Sequence, residues 1–414
     1  MASASPTSRL YYGWIVVIAC NFVAMITWGV AIFNQGVFAA HYIAVYDWPL
    51  WYMSLGPVIF HIWAGIAGIA VGQLVDRYGP RYVLVSGALL LSAALAVFGV
   101  VSEPWHYFAA FFILSTGFAC IHTITIGKIV ARWFVRHRTR AMASSTIGAG
   151  IGGALLVPIN AAVIEEYGTL NAAAVLAGIT LATIIPTALF VIRDGPETMG
   201  LEPDGTEPAK PSTIRYERAS SDTRHWTMSA AMGTSAFWGL SICFALGMVA
   251  QSAYLFHQVP FLQSQLGLVG ASWVVTVTTI AGIAGRAAFI GIGDRLSPNQ
   301  WMVAVFAVQA IGFSTLAVSV DSMALVVGSA LFGLTMGVAV TLQPLVTAFV
   351  FGRTTFGRIY GPIYFSIRMG AAAGPGLVGF GVTIAGGFPM VWTGLAMILV
   401  SAGLLVPITV RRPT

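Results

Sequence analysis

Long apolar runs, separated by short polar or turn-rich loops, recur twelve times along the chain, at approximately 11–38, 52–75, 81–101, 106–130, 141–163, 172–193, 233–257, 270–292, 299–320, 323–350, 359–383 and 388–410. Each is close to or beyond the roughly 20 residues that an α-helix needs to cross the hydrocarbon core of a bilayer. None shows the alternating pattern of outer-membrane β-strands, which are only about 9–11 residues long. The pattern predicts an all-α membrane protein with twelve transmembrane helices. Residues 1–10 (MASASPTSRL) are short and polar, and the apolar run after them is too long for the core of a cleaved signal peptide. The first run is therefore expected to be a retained helix.

The one long polar stretch, 194–230, is rich in Pro, Ser, Thr and charge and falls between the sixth and seventh runs. It predicts an N-terminal six-helix bundle over 1–193, a linker over 194–230 and a C-terminal six-helix bundle over 231–414. Both halves carry a related sentence after their second run, GQLVDRYG at 72–79 and GIGDR at 291–295. Such duplication suits a transporter built from repeats, with its substrate site near the midplane between the halves.

Composition agrees with the pattern. The 414 residues are 57% hydrophobic and 8% charged, against about 25% charged in a soluble domain. A net charge of +6 would suit nucleic acid if it formed a patch, but the bases sit in short loops between apolar runs, and no nucleic-acid partner is expected. Lys and Arg number 20. All but Lys128, Arg286 and Arg368 fall on one side when the loops are assigned alternately, and the opposite loops carry only Asp47, Glu103, Glu165, Glu166 and Asp321. The positive-inside rule then predicts cytoplasmic termini and a cell (inner or plasma) membrane location. Cys20, Cys120 and Cys243 lie inside apolar runs without CxxC or Cys/His spacing, so neither a disulfide framework nor a metal site is expected.

The segment after the second run meets the pattern G-x-L-x-D-R-x-G-x-[RK] at Gly72, Leu74, Asp76, Arg77, Gly79 and Arg81. On this motif and the six-plus-six layout the chain resembles the major facilitator superfamily along its whole length. An Asp and an Arg at a helix end can bond backbone groups and the helix ends of the neighbouring bundle, so Asp76, Arg77 and their repeats Asp294 and Arg295 are expected to gate. A narrower resemblance lies in YYGW at 11–14, in WFVRHRTRAMA at 133–143 with Gly148, Gly150, Gly152 and Gly153 behind it, and in Arg286 of the eighth run. These resemble the monocarboxylate transporter family and its bacterial relatives, including the oxalate–formate antiporter. There are departures. Tyr11 and Tyr12 stand where the animal carriers have an acid ahead of the first motif, and Gly282 stands where they have an Asp four residues before the arginine. Their lysine in the first span has no counterpart.

The remaining signal is charge inside the membrane. An arginine at mid-bilayer costs about 2.5–3.5 kcal/mol on insertion scales, which makes it a functional candidate. Arg286 lies about 12 Å along its helix from Asp294 and Arg368 about 15 Å from Arg358, each near half of a roughly 30 Å core. No Asp or Glu lies well inside any span. Two guanidinium groups without a counter-ion call for an anion, and Arg suits bidentate binding of a carboxylate. Tyr364 and Tyr360 share the Arg368 face, and Thr278, Thr279 and Gly282 share that of Arg286. The resemblance to the antiporter branch implies a cation in the eleventh span, and Arg368 falls within about a residue of that place. Lys128, four residues before Arg132, is expected to snorkel.

His122 with Thr125, Gln343, Asn34 with Gln35, and Gln251, Tyr254 and Gln258 on one face complete the polar candidates. The expected substrate-binding set is Arg286, Arg368, Tyr364, Tyr254, His122 and Gln251. A proton moving with the substrate would use a histidine, His122 or His257, the substrate's own carboxyl, or compensation at the arginines. No HExxH, GxSxG or Gly-rich phosphate loop is present, so no enzyme and no cofactor is expected. Glycine clusters in spans five and eleven, with Pro158 and Pro375, are expected to let gating helices approach and bend within a monomer. The expected activity is secondary active transport of small organic anions by alternating access. Monocarboxylates such as lactate or pyruvate with proton symport come first; oxalate-like dicarboxylate exchange and efflux of lipophilic anions are the alternatives.

Overall fold

The computed structural model describes residues 11–193, 195–204, 226–319, 321–352 and 356–410, without the side chains of Thr123, Thr139 and Asp294. Most of the predicted linker therefore lies outside the described residues, as do the side chain of the gating candidate Asp294 and the topology-setting Arg9, Lys210, Arg215, Arg218, Arg224, Arg353, Arg411 and Arg412.

Among the described residues the chain is helical, apart from one isolated backbone bridge between Phe134 and Asp204. Ten stretches are long and apolar enough to cross a membrane. Two of them are each divided by a glycine whose positive φ no other residue adopts easily, Gly168 (φ 80°) and Gly267 (φ 69°). The result is the twelve predicted spans. In chain order they are α1 (Tyr12–Tyr46), α2 (Leu50–Tyr78), α3 (Pro80–Gly99), α4 (Pro104–Trp133), then α5 (140–167) and α6 (169–191) from Arg140–Val191. The second half holds α7 (235–266) and α8 (268–292) from Ser235–Ile292, then α9 (Pro298–Val318), α10 (Ser322–Phe351), α11 (Phe356–Ala385) and α12 (Phe388–Thr409). Local chemistry sets several ends: Pro80, Pro104 and Pro298 occupy first turns, and Ser297 with Gln300 closes a capping box on α9.

Two of the spans are interrupted near mid-length. Helix α1 runs regularly over Tyr12–Trp28, passes through a π-helical turn at Gly29–Phe33 and resumes at Gln35–Tyr46. The Asn34 side chain donates to the Gly29 carbonyl at 2.8 Å and accepts from Asn160 of α5 at 2.8 Å, which holds this turn in place. Helix α4 breaks at His122 (φ −79°, ψ −126°) between Pro104–Ile121 and Thr123–Trp133.

The two halves touch near the face that carries the acidic loops. There Ser54 of α2 meets His257 of α7 at 2.9 Å, and the Val269 amide of α8 donates to Glu165 of α5 at 3.3 Å. A little deeper, Thr276 of α8 donates to the Ala154 carbonyl of α5 at 2.8 Å. Helices α2 and α11 show the geometry best. The rings of Trp51 and Phe380 stack at 5.3 Å near the acidic face. Toward the basic face, Gly65 and Gly72 of α2 and Gly357 and Gly361 of α11 have no atom of a neighbour within 4 Å of where a Cβ would stand. The halves thus form a V, sealed at the acidic face and open toward the basic one.

Candidate functional site

The arm of the V that belongs to the first half presents His122 and Trp28. Trp28 is the last regular residue of α1 before its π-turn, and its indole N–H donates to Nδ1 of His122 at 3.1 Å, edge-on with ring centroids 5.0 Å apart. Phe118, one turn before the α4 break, packs on the imidazole at 4.8 Å and edge-on to Trp28 at 6.1 Å. Both helix interruptions of this half therefore meet at one side-chain contact. Broken helices at mid-membrane are tolerated where they are buried in protein or line a cavity, and they are where transporters place substrate.

The arm of the second half presents Arg368 on α11. Its Nε donates to the Tyr364 hydroxyl at 2.8 Å, Nη2 reaches the same oxygen, and the guanidinium carbon stands 4.9 Å from the centre of the Tyr364 ring. Tyr360, a further turn back, lies 5.7 Å from Tyr364. The i, i+4, i+8 spacing read in the sequence is therefore a physical stack that props up the cation. Among the described residues, His61 of α2 and His122 of α4 lie within electrostatic reach of Arg368. His61 was not singled out by the sequence, where it reads as one more residue beside Phe60 in an apolar run.

Arg286 of α8 is half-buried and lies against Gly337 of α10, where an added Cβ would be 3.2 Å from Nε. Its Nε is buried and has no hydrogen-bond partner among the described residues. No Asp or Glu pairs with either arginine among the described residues, where the ion pairs are Lys128–Asp76 and His137–Asp204. A donor left unmet in an apolar setting costs about 1–3 kcal/mol, more when charged, so each guanidinium retains capacity for an acceptor.

Other expected site residues stand elsewhere. Tyr254 is fully buried, donates to Ser329 at 2.6 Å and is enclosed by Phe313, Phe332 and Trp392. It braces α7 against α10 and has no exposed surface, which corrects its expected place in the substrate-binding set. Gln251 lines a small cavity of about 20 Å³ inside the second half, with Gln343 across from it and Phe244, Met302 and Phe306 around it. Gln258 donates to Thr278 at 2.7 Å, joining α7 to α8, while its Oε1 is buried without a hydrogen-bond partner among the described residues.

The gating candidates are also placed. Nζ of Lys128 lies 2.6 Å from Asp76 and donates to the Gly72 carbonyl at 2.9 Å, so Lys128 joins α4 to α2 instead of snorkelling to the membrane surface. Asp76 is bound within its own half, not across the V. Arg77 lies over the Tyr78 ring at 5.2 Å, and Arg295 is exposed at the end of α8.

Comparison with known proteins agrees with this architecture. The sequence profile described as Major Facilitator Superfamily matches residues 17–291. The chain belongs to the Major Facilitator Superfamily. Within it, the chain is 25% identical to rat monocarboxylate transporter 12 over 429 residues, covering 97% of this chain and 86% of the relative. It is 25% identical to the oxalate:formate antiporter of Oxalobacter formigenes over 324 residues, covering 77% and 72%. A bacterial homologue of the human lysosomal transporter Spinster, solved inward-facing and unoccupied, shares the fold with a TM-score of 0.65 at 13% identity, covering 97% of this chain and 96% of that one. The chain is a multi-pass membrane transporter and not an enzyme.

Membership of this superfamily gives the two narrower signature segments a structural reading. The Tyr11 hydroxyl donates to the Trp133 carbonyl at 2.8 Å, and Trp14 packs on Phe134 at 5.0 Å. A Cβ on Gly13 would stand 2.9 Å from the Phe134 ring. Asp204, past the end of α6, accepts from the Val135 amide at 2.7 Å and pairs with Nδ1 of His137 at 2.6 Å. Burial and the Asp204 carboxylate push the Tyr11 phenol up to about 12. YYGW and WFVRH are thus two sides of one clasp at the basic face, remote from the arginines.

Proposed function

We propose that this protein carries small organic anions across the cell membrane by alternating access. Monocarboxylates of the lactate or pyruvate kind come first, and a proton moves with them. The single observation that carries the reading is the pair of intramembrane guanidinium groups, Arg286 with a buried unpartnered Nε and Arg368 held only by Tyr364, neither facing a carboxylate of the protein among the described residues. Arg286 takes the carboxylate; Arg368 with Tyr364 lines the same second-half arm, and His122 forms the opposite wall. The similarity to a monocarboxylate transporter and to an oxalate:formate antiporter supports the carboxylate class. With the basic face cytoplasmic, as the loop arginines indicate, both termini are inside and the V is open inward. The linker joins two halves that rock about the site, and the working unit is one chain.

A second reading, exchange of oxalate-like dicarboxylates, is favoured by one observation: two cations suit a dianion. Uptake of labelled lactate, pyruvate, oxalate and formate into proteoliposomes tests both. Preference for lactate driven by an inward proton gradient supports the first, and oxalate uptake that needs internal formate supports the second. Arg286→Lys keeps the charge but loses the planar fork. Full transport of every carboxylate by that variant would refute the site.

A further inference from the structure

The contact between Trp28 and His122 decides a protonation state. An indole N–H can only donate, so Nδ1 of His122, 3.1 Å away, must offer a lone pair. The imidazole is then neutral with its proton on Nε2. The imidazolium would carry a hydrogen on both nitrogens and turn two donors against each other, so protonation at Nδ1 requires the indole to move away.

The chain is built for such movement at that place. Trp28 immediately precedes the π-turn Gly29–Phe33, and His122 is itself the break in α4. A π-turn inside an α-helix holds a surplus residue, and its migration by one position rotates the flanking side chains. Among the described residues the charged group within electrostatic reach of the imidazole is Arg368 of α11, which also reaches His61 of α2. The nearest residues of α1 and α4 themselves are the uncharged Trp28 and Phe118. An anion seated on Arg368 cancels the positive field at His122, so the loaded site accepts a proton more readily than the empty one.

We propose that Trp28 is a positioning residue for proton coupling: it holds His122 as the neutral Nε2–H tautomer while the cleft is open to the basic face, and its withdrawal lets Nδ1 take the proton that travels with the carboxylate. When the loaded carrier opens to the basic face, the Nδ1–H bond breaks, the proton passes to solvent in the cleft, and the freed lone pair accepts the indole N–H. This rests on the carboxylate reading given above and adds to it the place of the proton and the group that expels it.

Two measurements test it. In wild-type protein labelled with ¹⁵N-histidine, the His122 resonances, assigned by their loss in His122→Gln, show an unprotonated Nδ1 and a protonated Nε2 at neutral pH; an imidazolium or an Nδ1–H tautomer overturns the proposal. Trp28→Phe keeps a ring but removes the donor. In proteoliposomes, the internal pH at which its net lactate uptake is half-maximal moves up by about one unit, a tenfold change in proton affinity, while lactate–lactate exchange stays within about twofold of wild type. An unchanged pH profile overturns the role of Trp28. Carboxylate transport by the wild type that carries no proton overturns the proposal and leaves the anion site standing. A wild type that moves no carboxylate removes the functional reading itself, a result the exchange arm reports separately.

Discussion

Asp76, the acid of the repeated Asp-Arg motif, accepts from Nζ of Lys128 at 2.6 Å, and both residues belong to the first half. In this basic-open state the motif is thus occupied by a partner of its own bundle. For Asp76 to hold the second half when the basic face closes, it must leave Lys128. Lys128→Ala removes the competitor and is expected to favour the closed form. The pair is largely exposed, and such pairs are worth about 0–1 kcal/mol, so the shift in population is no more than about fivefold. Spin-label distances between the basic-face ends of α2 and α11 read it directly, and longer distances in the variant would contradict the competition.

Gly285 of α8 packs so closely on the Leu334 carbonyl of α10 that a methyl group would collide with it, whereas Gly65 of α2 faces open space. Gly285→Ala is expected to cost about 1–3 kcal/mol through forced backbone displacement. It also pushes apart the two helices that seat Arg286. Gly65→Ala serves as the control, with melting unchanged or slightly raised because alanine is the better helix former. Thermal unfolding of the purified protein in detergent compares the two, and equal melting temperatures would show that α8 and α10 can separate freely.

The twelve spans were legible because a bilayer imposes length and hydropathy on each helix separately, and the two arginines because a charge in an apolar run has few structural uses. Tyr364 was legible too, since its relation to Arg368 is one helical turn. The partners of Tyr254 were not. Helical periodicity correctly put Gln251, Tyr254 and Gln258 on one face, but whether that face meets a cavity or Phe313, Phe332 and Trp392 depends on helices far away in sequence. Lys128 was misread for the same reason: Arg132 is near it in sequence, and Asp76 is its neighbour only in space. Trp28 left no signal, because a tryptophan in an apolar run looks like core and a π-turn has no fixed residue pattern.

Tyr364 accepts from two nitrogens of Arg368, and its ring lies under the guanidinium. Tyr364→Phe keeps the ring and deletes the acceptor. Arg368 then loses its anchor, and the apparent KM for a carboxylate is expected to rise by about tenfold, the equivalent of one hydrogen bond to a charged group. Tyr360→Phe leaves that bond intact and should change KM by less. Initial rates of uptake across a range of substrate concentrations separate the two, and equal KM values for Tyr364→Phe and wild type would remove Arg368 from the binding site.

The seal at the acidic face turns on a histidine that can hold its bonds in either charge state. Nδ1 of His257 lies 2.8 Å from the Ala253 carbonyl, which only accepts, so that nitrogen carries a hydrogen. Nε2 lies 2.9 Å from Oγ of Ser54, and that hydroxyl also reaches the Leu50 carbonyl at 2.7 Å. When the imidazole is neutral, the Ser54 hydroxyl donates to Nε2. When it is charged, Nε2–H donates to the oxygen and the hydroxyl turns to Leu50. Neither state leaves an unmet group, so this latch between the halves is expected to hold across neutral and mildly acidic pH. Ser54→Ala breaks it in both states. It strands Nε2 where His257 is fully buried, at a cost of about 1–3 kcal/mol to the sealed conformation. The population open to the acidic face should then rise by about 5- to 150-fold. Reaction of a membrane-impermeant thiol reagent with a cysteine placed just beneath the seal measures that population, and a rate in Ser54→Ala no faster than in the parent would show that packing of Trp51 on Phe380, rather than this hydrogen bond, keeps the acidic face shut.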